Sequence, residues 1–174
     1  MTFPIDKFKQ RLINIGLQEA AYNERLTEWV ARYGDTMQTR KDFFWHVYQT
    51  LLSSAAKDYS NDLQTMYKTH RNIYLEMFAF LCEEGKSVYP AQKGINHCDL
   101  QLATFNGLKI NATIIGGNRC EEAKLINLKT FPLEVMLEQS LLPYDKCTRV
   151  GGCNCCYGFE GVRDDKGRLV RKEY

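Results

Sequence analysis

Four of the seven cysteines in this chain lie within ten residues of one another, in the run KCTRVGGCNCCYGF. Thiolates at this spacing can bind a soft metal ion, form disulfides or carry out redox chemistry. Two glycines, Gly151 and Gly152, directly precede the second cysteine of the run, and glycine gives the backbone freedom that a tight turn requires. We call residues 147–156 the cysteine knuckle, and its cysteines are Cys147, Cys153, Cys155 and Cys156.

The knuckle offers three well-spaced ligands, whereas a structural zinc ion takes four at roughly 2.0–2.3 Å. Cys155 and Cys156 are adjacent, and neighbouring residues rarely both point at one ion. A fourth ligand would therefore come from elsewhere, either from the pair His97-Cys98 or from Cys120, which follows a Gly-Gly break. The predicted cofactor is zinc, and the predicted ligands are Cys147, Cys153, Cys155, Cys156, Cys98 and His97. Two alternatives stay open for the same residues: buried thiols that only pack, and disulfide or redox chemistry.

Composition predicts an ordinary globular protein rather than a strongly charged one. The chain has 174 residues, a net charge of +2 and 44% hydrophobic residues. This length suggests a single domain, 1–174, with a helical part at 1–88 and a sheet plus Cys-rich part at 95–174. A net charge this small does not create a strong global field for nucleic acid, although a local basic patch remains compatible with it.

The N-terminal sequence predicts a cytoplasmic protein with no membrane partner. It has no signal-peptide core, and the most apolar run, Leu75–Cys82, is too short to span a bilayer. Thiols stay reduced in the cytosol, so clustered cysteines there indicate metal binding or catalysis more often than disulfides.

The first half of the sequence has the spacing of four amphipathic helices. The first carries Phe8 and Leu12 on one face, and the second runs from about Gln18 to Tyr33. Thr39 is the expected N-cap of the third, and Ser60 or Asn61 that of the fourth, which would bury Cys82 and end at Gly85.

The second half predicts strands. Leu100–Phe105 and Leu108–Ile115 flank Asn106-Gly107, a sequence that favours a two-residue hairpin turn. Lys124–Thr130 alternates as a further strand would, Leu133–Leu142 favours a short helix, and a last hairpin is expected around 164–167. The predicted fold is α+β: about four helices in the N-terminal half, packed on a small antiparallel sheet with a Cys-rich knuckle and a C-terminal hairpin.

A hairpin, a glycine-rich break and a strand ending in N-L-K-T together resemble the core of the PD-(D/E)XK nucleases. The resemblance covers about thirty residues. It implies that an acid and an E-x-K on neighbouring strands hold Mg²⁺ or Mn²⁺ and activate water. In one register those positions are Asn111 and Asn127-Leu128-Lys129, where amides replace both acids. In another, Glu122-Ala123-Lys124 is the E-x-K and Asp99 the upstream acid, so the catalytic candidates are Asp99, Glu122 and Lys124.

Two other functions remain open. A thiol enzyme would use His97, oriented by Asp99, to activate Cys120 or a knuckle cysteine. A binding or regulatory protein would use the zinc knuckle and its flanking aromatic and basic residues to contact nucleic acid or another protein. The sequence favours the binding protein, because it contains no motif that specifies a reaction. The basic residues concerned are Arg163, Lys166, Arg168, Arg171 and Lys172.

Overall fold

The structure, a computed structural model, describes residues 3–116, 121–143, 147–148, 152–153 and 155–173. Within these ranges it contains seven α-helices and a three-stranded antiparallel sheet, which confirms the α+β class and the helical N-terminal half. The helices are α1 Ile5–Asn14, α2 Glu19–Tyr33, α3 Met37–Asp58, α4 Leu63–Glu83, α5 Tyr89–Ala103, α6 Glu121–Ile126 and α7 Leu133–Gln139. The strands are β1 Ile110–Ile115, β2 Thr130–Pro132 and β3 Cys156–Gly161. Among the described residues, no helix combines the length and the apolar content needed to cross a bilayer.

The first four helices are confirmed, with shifted N-terminal caps for two of them. Thr36, not Thr39, caps α3: its hydroxyl accepts from the Thr39 amide at 3.1 Å, and the Thr39 hydroxyl accepts from the Thr36 amide at 2.9 Å. This reciprocal capping box makes Thr39 the third helical residue rather than the cap. Asp62 caps α4 in place of Ser60 or Asn61, since its carboxylate accepts from the Thr65 amide at 3.0 Å.

Aromatic side chains fill the core of the helical half. Phe8, Phe44 and Phe80 come from α1, α3 and α4, and their ring centroids lie 5.4–6.1 Å apart in tilted or edge-to-face arrangements. Such pairs add to the roughly 1.5–3 kcal/mol that burial of each side chain contributes. The predicted burial of Cys82 is wrong, because the buried face of α4 passes through Met77, Phe80 and Leu81 and leaves Cys82 exposed.

Tyr48 brings a hydroxyl into this core without a hydrogen-bond partner among the described residues. A buried polar group in that state loses its hydration and gains nothing in return. We therefore expect Tyr48→Phe to leave the free energy of unfolding unchanged or to raise it, by up to about 1 kcal/mol. Urea denaturation measures this. A loss of more than about 1 kcal/mol would mean that the hydroxyl is bonded after all.

The predicted hairpin at 100–115 is wrong, because its first half is the end of a helix. α5 continues through Leu100 to Ala103, and a 3₁₀ turn at Thr104–Asn106 follows. Gly107 takes the positive φ of 71° that ends this turn, but Asn106 does not, so the two-residue hairpin geometry cannot form. Only β1 remains of the expected hairpin.

The sheet has the order β2-β1-β3, so β1 is central. Its residue Ala112 pairs with Phe131 on one side and with Phe159 on the other. The alternate residues Ile110, Ala112 and Ile114 are buried on the face that contributes to a second core cluster. This cluster also contains Leu100 of α5, which helps to bind the sheet to the helical half.

The predicted strand at Lys124–Thr130 is also wrong, since its first three residues end α6, a turn follows, and β2 begins only at Thr130. The alternating pattern fits a short helix equally well, because Ala123 is buried and Ile126, three residues on, packs on the second cluster. The short helix expected from Leu133 is confirmed as α7. The C-terminal hairpin is confirmed as well: Arg163 pairs with Leu169 across a turn in which Gly167 has a φ of 76°.

Candidate functional site

The described cysteines of the knuckle lie mostly against the protein interior. Cys153 and Cys155 are 1% and 4% exposed and belong to the second core cluster, and half-buried Cys147 packs against it. Cys156 begins β3 and points toward the other side of the sheet. It is half-buried, and its sulfur lies 4.0 Å from the Ile115 carbonyl oxygen. The adjacent pair therefore diverges, as expected for neighbouring residues.

A glycine borders the Cys155 thiol. A methyl group added at Gly116 would lie 3.0 Å from the Cys155 sulfur and 2.9 Å from the Cβ of Ala123 in α6. The end of β1, the start of α6 and the knuckle thus meet at the Cys155 side chain, and only glycine at position 116 allows so close an approach.

Two buried amides hold the knuckle backbone to α5. Asn96 donates to the Cys155 carbonyl oxygen at 3.1 Å, and Gln92, one turn earlier, donates to the same oxygen at 3.4 Å and to the Asn96 side-chain oxygen at 3.1 Å. Asn96 is fully buried and Gln92 is 6% exposed. Buried amides are costly unless bonded, so this pair specifies where the knuckle sits on the helix. We call Gln92 and Asn96 the amide clamp.

Further contacts hold the knuckle at Gly152 and at Tyr157, the residue that follows it. The Tyr157 hydroxyl accepts a hydrogen bond from the Leu142 amide at 3.0 Å in the interior, and burial raises the pKa of this phenol. Gly152 has a φ of 97°, as expected for a tight turn, and a Cβ there would lie 3.3 Å from the Ser87 hydroxyl. The knuckle is therefore packed against the segment between α4 and α5.

Among the described residues, the predicted outside ligands His97 and Cys98 do not form a metal-binding cluster with the knuckle cysteines. His97 and Cys98, predicted from the sequence to lie in the sheet plus Cys-rich part, both lie in α5. The His97 ring faces Tyr67 at 5.8 Å, and desolvation, with His70 adding to it, lowers the pKa of this imidazole. Within the described ranges, no three His, Cys, Asp or Glu side chains lie close enough together to hold a metal ion. Cys120 falls outside the described residues.

Cys98 is buried in α5, and this burial, with a smaller effect of the Asp99 charge, raises the pKa of its thiol to about 12. A cysteine in an unfolded chain ionises near about pH 8.5. Between about pH 8.5 and 12 the Cys98 thiol loses its proton in the unfolded state and keeps it in the folded state. The contribution of the Cys98 thiol to the free energy of unfolding is therefore complete below about pH 8.5, and it is lost as the pH rises toward 12.

We expect iodoacetamide at about pH 9 to modify the exposed Cys82 rapidly and to leave Cys98 unmodified in the folded protein, because only the thiolate reacts. Peptide mass spectrometry over a time course measures both rates. Equal rates would contradict the burial of Cys98.

The second nuclease register does not have its expected geometry. Glu122 and Lys124 lie on α6 rather than on a strand, and residues two apart on a helix point in nearly opposite directions. Lys124 instead pairs with Glu121 at 2.6 Å. Asp99 forms an ion pair with Arg71 of α4, so its carboxylate already has a cationic partner within the protein.

The first nuclease register does not have its expected geometry either, because Asn127 lies just after α6 rather than on a strand. Its side-chain oxygen accepts a hydrogen bond from the Gly116 amide at 3.0 Å.

The thiol-enzyme hypothesis needs Asp99 to orient His97. Asp99 is bonded to Arg71, and the His97 ring faces Tyr67.

Three cations of the C-terminal hairpin segment form hydrogen bonds or ion pairs within the protein. Arg163 donates to the Gly167 carbonyl oxygen at 2.7 Å, and Arg168 pairs with Asp164 at 2.8 Å. The Lys172 ammonium donates to the Thr104 carbonyl oxygen at 3.0 Å. Three of the five cations therefore have partners within the chain.

Comparison with protein-family models, with curated proteins and with solved structures yields no match to this chain. The functional argument therefore rests on the residues of the site alone.

Proposed function

We propose that this protein binds one zinc ion through thiolates of the cysteine knuckle and acts as a binding protein rather than as an enzyme. The observation that supports this most is the shared position of Cys147, Cys153 and Cys155, which all adjoin one buried cluster. Thiolates are the ligands that zinc prefers in closed structural sites.

The surroundings of the thiols fit such a site. Cys153 and Cys155 are shielded from solvent, and the bare backbone of Gly116 borders the Cys155 sulfur. The fourth thiol in this proposal is Cys120. It lies outside the described residues, but it is covalently joined to Glu121, the first residue of α6, and Ala123 of that helix packs in the same cluster. Metal sites of this kind close around the ion as it binds, so the thiols need not converge beforehand.

Zinc at this position would hold the knuckle, β3 and the start of α6 together, which is a structural role. A protein partner is favoured over nucleic acid, because three of the five hairpin cations are already bonded within the chain. Apolar side chains are exposed near the site: Leu125 and Leu128 are both 69% exposed, and Ile115 is 47% exposed. A reducing compartment such as the cytosol would keep the thiols available for zinc.

Metal analysis of the protein, purified without chelators and under reducing conditions, tests the proposal. We expect one zinc per chain. The four ligand thiols and the buried Cys98 should react slowly with a disulfide reagent, and removal of the zinc should accelerate the reaction of the four ligand thiols. Absence of stoichiometric metal, with Cys147, Cys153 and Cys155 reacting as fast as the exposed Cys82, would overturn it. Stoichiometric iron would overturn the choice of zinc.

A further inference from the structure

A second candidate site lies between α2 and α3, far from the knuckle in the chain. The two helices enclose a half-open cavity of about 290 Å³. Its floor is apolar, since Phe43 and Val47 of α3 are each 1% exposed. A cavity with an apolar floor and a few polar groups at its rim is the usual form of a small-ligand site.

Three aromatic rings in contact form one wall of this cavity; Trp29 stacks on His46 and is tilted by 48° against Tyr33. The Trp29 ring lies 4.4 Å from Tyr33 and 4.9 Å from His46, measured between centroids, and it is nearly parallel to the imidazole, with an angle of 27°. The Trp29 indole N–H donates to the Thr39 carbonyl oxygen at 2.9 Å, which fixes the ring orientation. Tyr33 remains 48% exposed. The Arg32 guanidinium lies over the Tyr33 ring, 5.2 Å from its centroid. The wall thus offers a planar ligand aromatic surface with a cation beside it.

The rim carries two arginines, Arg25 and Arg32, at positions seven residues apart on one face of α2. Among the described residues, no carboxylate forms an ion pair with either guanidinium, although Glu28 lies between them. Other arginines of the chain are paired, for example Arg11 with Glu76 and Arg40 with Asp35. Guanidinium groups bind phosphate and carboxylate through paired N–H donors.

From the aromatic wall and the two guanidiniums that lack a carboxylate partner among the described residues we infer that this cavity binds a small planar aromatic anion, with the ring against the aromatic wall and the anionic group on Arg25 and Arg32. A nucleoside monophosphate and an aromatic carboxylate share this chemistry. The site is independent of the zinc proposal, since it uses no cysteine.

Titration with AMP, adenosine, ribose 5-phosphate and 4-hydroxybenzoate tests the inference, with the indole N–H signal of Trp29 in NMR spectra and calorimetry as readouts. We expect AMP or 4-hydroxybenzoate to shift the Trp29 signal and to bind at least about 10-fold more tightly than adenosine and ribose 5-phosphate. The stronger of the two anions identifies the anionic group.

The variant Arg25→Gln/Arg32→Gln should weaken this binding by about 10-fold or more, whereas Arg171→Gln, a control at an exposed arginine of the C-terminal segment, should leave it unchanged. Circular dichroism checks that both variants are folded. The inference is overturned if neither anion shifts the Trp29 signal at millimolar concentration, if adenosine or ribose 5-phosphate binds as tightly as the anionic ring compounds, or if the double variant binds like the wild type.

Discussion

Cys155→Ser is expected to abolish stoichiometric zinc binding and to lower the free energy of unfolding of the zinc-loaded protein by about 3 kcal/mol or more. The thiol is 4% exposed and adjoins Gly116 and Ala123. A serine hydroxyl is a poor zinc ligand, and in this apolar cluster it also carries the cost of a buried polar group. Metal analysis and urea denaturation of the two proteins measure both effects.

The neighbouring Cys156→Ser provides the matched control. Cys156 is half-buried and lies on the other side of β3, so its replacement should preserve zinc and change stability by less than about 0.5 kcal/mol. Adding zinc to the metal-free proteins separates ligation from packing: it should stabilise the wild type and Cys156→Ser but not Cys155→Ser. Wild-type zinc content in Cys155→Ser, or loss of zinc in Cys156→Ser, would refute this assignment of ligands.

Asn96→Ala is expected to lower the free energy of unfolding by about 2–3 kcal/mol. The change removes the shorter of the two hydrogen bonds to the Cys155 carbonyl oxygen and the acceptor for the Gln92 amide, all of them in the interior. Amide hydrogen exchange in β3, directly after Cys155, should accelerate more than exchange in α1, because the amide clamp holds the knuckle to α5.

Asn23→Ala on α2 is the control, since Asn23 is exposed and its replacement should change stability by less than about 0.5 kcal/mol. If Asn96→Ala is as stable as Asn23→Ala, the amide clamp contributes no net stability. If stability falls while exchange in β3 keeps its wild-type rate, the clamp does not position the knuckle.

The helical half could be predicted because its signals are local. The apolar spacing that places Phe8, Phe44 and Phe80 on inner faces is visible within each segment, and the stops at Gly34 and Gly85 follow from their positive φ. Errors there concerned the caps, since Thr36 rather than Thr39 caps α3 and Asp62 caps α4, and the burial of Cys82.

The sheet half could not be predicted in the same way, because its strands are selected by their partners. β2 is three residues long and pairs with β1, so Thr130–Pro132 is too short to show an alternating pattern of its own. Asn106-Gly107 carries the local signature of a hairpin, but the apolar face of α5 extends to Leu100 and places that pair at the end of a helix.

The candidate site was only partly visible in the sequence. The cysteine spacing and the glycine turn pointed to the knuckle, and the divergence of Cys155 from Cys156 followed from backbone geometry. The amide clamp was missed because a buried Gln or Asn looks like a surface residue in a sequence. Its one signal is the i, i+4 spacing of Gln92 and Asn96, next to the apolar residues Ala91 and Ile95.

The central claim is that knuckle thiolates bind a metal ion, and the absorption spectrum of the Co²⁺-substituted protein tests it most directly. Cobalt replaces zinc in tetrahedral sites, and each cobalt–thiolate bond adds charge-transfer absorption in the near ultraviolet. We predict that binding saturates at one Co²⁺ per chain, with the intense visible bands typical of tetrahedral geometry. The charge-transfer intensity should be typical of three or four thiolates. These features should disappear when zinc is added. A weak, octahedral spectrum without thiolate charge transfer would contradict the account.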